Sequence, residues 1–332
     1  MTESVRDVDA VITWVDGSDP NHRKKWKKYK NKNLSADNEL STGRDKTRFV
    51  NNGELEYCLW SIRKFAPWIR KIYLITDDQR PEFLDEPFRV ENNVSIVDHK
   101  TIFNSYEWAL PTFNSRTLES MLWRIPGLSN HFIYFNDDFV LTKPVRKSDF
   151  FRDGHIVLTG EWKPIKNYGH LRLKMNEWVS SIAKSTFGIT RSMNLLLQIN
   201  SAKLAGFNTN YFKCPHVPHP IRKKTLSDFF EANPLLLSEN IQYKFRNLDQ
   251  FSAIYLANHL EIKKKKVVLG NEHDYVMLNG EMEIKMTFES KINKIKNQGV
   301  RFLCIQGLER FSDSQRNKLD LILRDLLDMD TI

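Results

Sequence analysis

The chain has 332 residues, 41% hydrophobic and 27% charged, which suits one large α/β domain and excludes long disorder. No apolar run approaches the roughly 18 residues of a membrane span, and the N-terminal MTESVRDVDAVITW is too charged for a signal peptide. Lys plus Arg exceed Asp plus Glu by 50 − 41 = 9, a basic balance that suits a phosphate-bearing substrate or an anionic membrane surface.

Asp9-Ala10-Val11-Ile12-Thr13-Trp14-Val15 reads as the first strand. It breaks at Asp16-Gly17-Ser18-Asp19-Pro20, where Gly17 frees the backbone and Pro20 stops the ladder. Asp16 or Asp19 is then placed to face a ribose, a metal or a phosphate-bound water. Turn formation competes, and is the better reading for Asp19 before Pro20. Residues 23–32, RKKWKKYKNK, carry seven Lys or Arg with Trp26 and Tyr29 at i, i+3. On a helix this is first a solvated basic face, second a contact to anionic lipid or lipid-linked pyrophosphate. No recognised nucleic-acid module accompanies the charge, so nucleic acid is not an expected partner. Residues 34–45 are polar and read as a loop.

Arg48 to Glu54 leads into a helix whose Leu55, Leu59, Ile62 and Phe65 follow i, i+4, i+7, i+10, ending before Pro67. Arg48, Asn52 and Glu54 bunch at its N-terminus, where free N–H groups favour anions; Glu54 is equally suited to be a dipole partner. Strands follow at 71–76, ending in Asp77-Asp78-Gln79, and at 94–97, ending in Asp98-His99. Asn114 or Ser115 caps a further helix holding Leu118, Met121, Leu122 and Ile125, with Ser115 and Glu119 on one face at i, i+4.

Within the stretch His131 to Leu141 an apolar run reads as a buried strand that ends on Asn136-Asp137-Asp138. Two carboxylates are costly in a core, so they belong where the strand emerges, and they suit a hard divalent cation that carries phosphate. Locally a turn is the better reading. Four strands ending in acidic or His-containing turns, however, are what a site at one edge of a parallel sheet produces.

His155 to Thr159 is a further strand, and 173–187 and 193–204 read as helices. Cys214-Pro215-His216-Val217-Pro218-His219-Pro220 holds two His in a rigid extended segment; a single functional His fits better than zinc, because no second ligand pair follows. Arg246 in RNLDQ suits either a diphosphate clamp or a surface pair with Asp249. Lys263 to Lys266 precedes a strand at 267–269, 300–305 is a late strand, and Ser312 begins an amphipathic helix. Cys58, Cys214 and Cys304 read as isolated reduced thiols. The expected fold is α/β: a Rossmann-like, mostly parallel central sheet flanked by helices, in one domain over 1–332 with a helical insertion at 160–210.

Several of these stretches together resemble the Stealth family of hexose-1-phosphate transferases. That family includes bacterial capsule phosphotransferases and the catalytic subunit of animal N-acetylglucosamine-1-phosphotransferase. The matching blocks are DAVITWVDGSDP (9–20), RFVNNGELEYCLWSIRKFAPWIRKIYLITDDQRPEFL (48–84), VDH (97–99) and LPTFNSRTLESMLWRIPGLSNHFIYFNDD (110–138), then Cys214–Pro220, RNLDQ (246–250) and RFLCIQG (301–307). The pattern departs at Trp60, where Arg is common, at Asp78, where Gly or Asn is common, and at CIQG, where CIND is usual.

The resemblance implies transfer of a sugar-1-phosphate from a UDP-sugar to a hydroxyl of a lipid-linked or oligosaccharide acceptor, releasing UMP. It places catalytic weight on Asp138, His216, Arg246 and Glu119. Substrate contacts are expected at Asp16, Asn52, Glu54, Asn114, Ser115 and His219, and a divalent cation, Mg2+ or Mn2+, at Asp137 and Asp138. An ordinary metal-dependent glycosyltransferase releasing UDP and a non-catalytic binder of anionic glycan are the alternatives. The expected location is the cytoplasm, peripheral on the inner face of the membrane through residues 23–32.

Overall fold

The computed structural model describes residues 5–30, 52–165, 194–271, 274–281 and 283–329. The loop expected at 34–45, Arg48, the end of the basic stretch at 31–32 and the helix expected at 173–187 lie outside the described residues.

The sheet that carries the site has the order β10-β4-β1-β2-β3. Here β1 is Val8–Thr13, β2 Ile72–Thr76, β3 Val94–Asp98, β4 His131–Asn136 and β10 His219–Arg222. β1 to β4 are mutually parallel, with Thr13 opposite both Ile75 and Asn136, and Thr76 opposite Asp98. Their carboxyl ends therefore finish at one edge, as expected of a mostly parallel α/β sheet. β10 adds antiparallel to β4, setting His219 opposite Tyr134.

Both faces of this sheet are covered. Along β1 and β4, Ala10, Ile12, Ile133 and Phe135 enter one core, while Val11, Phe132 and Tyr134 enter the other. This strand period of two explains why the runs are apolar throughout rather than alternating with polar residues. On the first face lies α2, Glu54–Phe65, with Leu55, Leu59, Ile62 and Phe65 all buried. Truncating Leu59 to Ala would cost about 2–5 kcal/mol, because its cavity cannot collapse between helix and sheet. Gly53 at φ 91° precedes this helix, a left-handed turn that a residue with a Cβ enters only with strain. On the opposite face lies α9, Ala253–Lys263, after α6 (Asn194–Leu204), α7 (Lys223–Ala232) and α8 (Pro234–Ile241).

β4 ends at Asn136, where the strand was expected to end; after a turn at Asp137-Asp138 the chain continues as β5 (Phe139–Leu141), which leaves for a second sheet of order β12-β13-β5. There it pairs antiparallel with β13 (Phe302–Gln306), beside β12 (Tyr275–Asn279). The helix after Asn114 is only α5, Ser115–Glu119. The Ser120 hydroxyl donates back to the Arg116 carbonyl at 3.0 Å, a local bond that competes with helix continuation. Leu118, Met121, Leu122 and Ile125 are nevertheless all buried. The stretch expected as a helical insertion begins with a strand, β8 (Glu161–Pro164), paired with β9 (Asn210–Lys213); its helix α6 lies where the second was expected.

The basic stretch lies on α1, Pro20–Lys30. Lys24, Lys27 and Lys28 are exposed. Trp26 instead turns inward to a small cluster with Phe113 and Phe245, so the aromatic half of the expected membrane face is part of the core. No described helix is long and apolar enough to cross a membrane.

Candidate active site

The four acidic strand ends do different work. After β1, Asp16 closes a local turn: its carboxylate accepts from the Ser18 backbone N–H at 2.7 Å and hydroxyl at 2.8 Å. Gln79 clasps the Asp16 backbone on both sides, at 2.9 and 2.8 Å, tying this turn to the one after β2. Asp19 accepts from the His22 N–H as a helix cap, and Asp77 pairs with Lys25 at 3.0 Å. After β3, Asp98 accepts from the backbone N–H groups of Asp78 and Lys100. These carboxylates are largely satisfied by the protein itself.

The turn after β4 differs. His216, in the link between β9 and β10, brings Nε2 to 3.3 Å from the Asn136 amide and sets its ring edge-on to Phe139, 4.7 Å between centroids. Cys304 of β13 donates its thiol to Asp138 Oδ2 at 3.5 Å. Asp138 Oδ1 is buried with no hydrogen-bond partner among the described residues. Ligand atoms of Asp138, His216 and Cys304 all lie within 4.8 Å of one another.

Electrostatics marks the same place. Burial, with the neighbouring Asp138 and Glu54 carboxylates, holds the Asp137 carboxyl well above the usual range. Asp138 is raised by burial and Glu54, against the Cys304 thiol, which lowers it. Glu54 is raised by burial, although it accepts from the Asn52 backbone at 2.8 Å and side-chain amide at 3.3 Å. Three crowded carboxylates, Glu54 buried and Asp137 and Asp138 half-buried, disfavour one another's charge, and with the orphaned Asp138 oxygen they fit a divalent cation.

A second cluster adjoins it. Arg246 Nη2 donates to Ser115 Oγ at 2.8 Å. The half-buried Glu119 carboxylate accepts from the Ser252 hydroxyl at 2.6 Å. Burial raises the Glu119 carboxyl, against Ser252, Arg246 and Arg116. Burial pushes His216 down to about 4, and the Arg246 charge pushes the same way. His216 is therefore a neutral imidazole near neutral pH, free to accept a proton. Tyr134, bonded to Thr13 at 3.0 Å, feels Glu119, Asp137 and Arg246 and so stands between the clusters.

Two expected contact residues serve the framework instead. Asn114 is 1% exposed, and its Nδ2 donates to the carbonyls of Tyr243 and Phe245 and to Gln250 Oε1. It clasps the 243–250 segment and thereby places Arg246. His219 is buried edge-on against Tyr255 and is pushed down to about 3 by burial and by His216. Residues that sequence reasoning passed over are Cys304, which lies in a quoted block but without ligand spacing, and Arg116. The Arg116 guanidinium donates to the Asn247 carbonyl at 2.6 Å, beside Arg246.

Sequence comparison shows what the chain is related to. Stealth protein conserved region 1 matches residues 6–34 and conserved region 2 matches residues 48–158, the latter containing Asn52, Glu54, Ser115, Glu119, Asp137 and Asp138. The chain is 32% identical over 284 residues to the receptor polysaccharide phosphotransferase WefC of Streptococcus oralis, covering 80% of both chains. It is 31% identical over 287 residues to the capsular polysaccharide phosphotransferase WcwK of Streptococcus pneumoniae, again 80% of both. With the capsular polysaccharide phosphotransferase LcbA of Neisseria meningitidis it shares 43% identity over 144 residues, 43% of this chain and 37% of that one. At this identity, sustained over most of both streptococcal proteins, the chain belongs to the Stealth family.

Proposed function

We propose that this chain transfers a sugar-1-phosphate from a UDP-sugar to a hydroxyl of a lipid-linked or oligosaccharide acceptor, releasing UMP and leaving a phosphodiester in a surface polysaccharide. The observation that carries it is the meeting of Asp137, Asp138, His216 and the Arg246–Ser115 pair at one sheet edge, in a chain related to polysaccharide phosphotransferases.

In the proposed reaction the acceptor oxygen bonds to the β-phosphorus as the bond from that phosphorus to the bridging oxygen breaks. The sugar C1–O bond stays intact, and UMP carries away the bridging oxygen. Neutral His216 takes the hydroxyl proton, its ring held by Asn136 and Phe139. Arg246, fixed by Ser115 and by the Asn114 clasp, faces charge developing on the phosphoryl oxygens. Glu119 balances the Arg246 and Arg116 charges from within. Asp137 and Asp138 would hold a divalent cation, which supplies charge neutralisation to the diphosphate. Asn52 keeps Glu54 oriented beside that pair.

Product analysis tests the reading. Incubation with a UDP-sugar and acceptor should give UMP and a phosphodiester signal in phosphorus NMR. Release of UDP with a plain glycosidic bond would overturn it in favour of an ordinary glycosyltransferase.

A further inference from the structure

His216 and Arg246 come to the site on two connecting segments, one between β9 and β10 and one before α9. Both segments are held by a single turn of α6. Gln198, 3% exposed, clasps Cys214 on both sides: its Nε2 donates to the Cys214 carbonyl at 3.0 Å and its Oε1 accepts from the Cys214 N–H at 2.9 Å. Asn200 Nδ2 donates to the carbonyls of Leu248 and Gln250 at 3.1 and 3.2 Å. Ser201 Oγ accepts from the Ser252 N–H at 3.1 Å, and the Ser252 hydroxyl is the one that donates to Glu119.

The plain reading is that these side chains only satisfy buried backbone groups, as most buried polar groups are satisfied. What they grip argues for more. Pro215 and Pro218 have no N–H, so the link that carries His216 is poor in backbone donors of its own, and the Gln198 clasp is set two residues before the ring. On the other segment, Asn114 holds the carbonyls of Tyr243 and Phe245 while Asn200 holds those of Leu248 and Gln250. Arg246 is thereby bracketed from both directions. The two grips of α6 lie two residues apart, about 3 Å of rise that the helix keeps fixed.

We infer that α6 sets the placement of the base relative to the phosphate clamp: Gln198 positions His216, and Asn200 with Ser201 positions Arg246 and Glu119. All three are positioning residues that act through the segments they hold. The inference rests on the proposed reaction in taking His216 as proton acceptor and Arg246 as clamp. Both steps are short in reach, so a displacement of about 1 Å costs on the order of 100-fold in rate.

Double-mutant cycles on the full chain test this, with UMP release as readout. Gln198→Met keeps the bulk and removes both bonds; kcat should fall about 10–100-fold with the donor KM within about twofold. In His216→Ala the same change should cost less than about twofold more, because the ring it aims is gone. Asn200→Ala, at a half-buried position, should lower kcat about three- to tenfold, be silent in Arg246→Gln, and keep its effect in His216→Ala. Losses carried over in full into the backgrounds expected to be silent would mean plain structural damage and overturn the inference. Amide hydrogen exchange of the unaltered chain needs no variant to fold: the Cys214 and Ser252 N–H groups should exchange slowly, and fast exchange at either would sink the idea. Release of UDP in place of UMP would strike the proposed reaction alone, and the same couplings, read by UDP, would still support α6.

Discussion

The Arg246 guanidinium donates to the Ser115 hydroxyl at 2.8 Å, joining two residues 131 positions apart at the mouth of the site. Ser115 thereby aims a charge that must otherwise sample several rotamers, while Asn114 next to it holds the backbone of the same segment. Removing the charge and removing the aim should differ in size. Arg246→Gln should lower kcat on the order of 100–1,000-fold, the scale of losing one preorganised charge donor. Ser115→Ala should cost about tenfold or less, since it removes the guide and leaves the charge. Steady-state kinetics with UMP release as readout compares them; equal losses would place Ser115 itself on the substrate.

Asp138 is where geometry and charge agree most closely, through its orphaned oxygen and its neighbours Asp137 and Glu54. Asp138→Asn keeps the shape and removes one anion. Turnover should fall by roughly 1,000-fold or more, the scale of a group that acts with others as a unit. Retention on immobilised acceptor glycan should persist within about twofold, because a group that acts in the transition state adds little to ground-state acceptor binding. A strong chelator should reproduce the turnover loss in the unaltered chain. Full turnover in the variant would remove Asp138 from the reaction.

Much of this edge was legible in the chain itself. Apolar runs ending in Asp16, Asp77, Asp98 and Asp137-Asp138 announce parallel strands, and those strands do finish together. What separates Asp138 from the other three is not local. Asp16 and Asp98 are used up within turns that look the same in sequence, and Asp77 by a lysine 52 residues away. The departure of β5 is not written in Phe139-Val140-Leu141, an apolar triplet that suits either sheet equally. Cys304 was hidden for another reason: it meets Asp138 across 166 residues, and no spacing rule spans that distance. Asn114 carried a strong capping signal that was correct, since it accepts from the Arg116 N–H, yet its larger part is holding residues 243–250.

Trp26 shows how far a misleading pattern can reach into the site. Buried against Phe113 and Phe245, which stack at 5.3 Å, it supports the residue just before Asn114-Ser115 and the one just before Arg246. Trp26→Ala should destabilise the fold by about 3 kcal/mol in urea denaturation and should also raise the donor KM. Lys24→Gln, Lys27→Gln and Lys28→Gln together should shift stability by only about 0.5 kcal/mol or less each. If these lysines serve a membrane surface, the triple variant should lose low-salt binding to vesicles of anionic lipid. Unchanged vesicle binding would end the membrane role of α1.

His99 supplies a pH-dependence that does not involve the reaction. It is buried behind the site, facing Asp77, Asp98, Lys25 and His22, and its folded-state value is pushed down to about 4 by burial, against the two carboxylates. The unfolded chain takes up this proton near pH 6.5, while the native chain resists until about pH 4. Protons therefore favour unfolding across that window: the contribution is intact above about pH 6.5, shrinks as pH falls toward 4, and levels off below. For this one group the loss between pH 7 and pH 5 is about 2 kcal/mol. His216 and His219, likewise depressed by burial, add to the trend. Urea denaturation at the two pH values should show lower stability at pH 5, and His99→Leu should flatten the slope by about that amount. A slope unchanged by the substitution would mean that His99 is protonated in the native state and paired with Asp77 or Asp98.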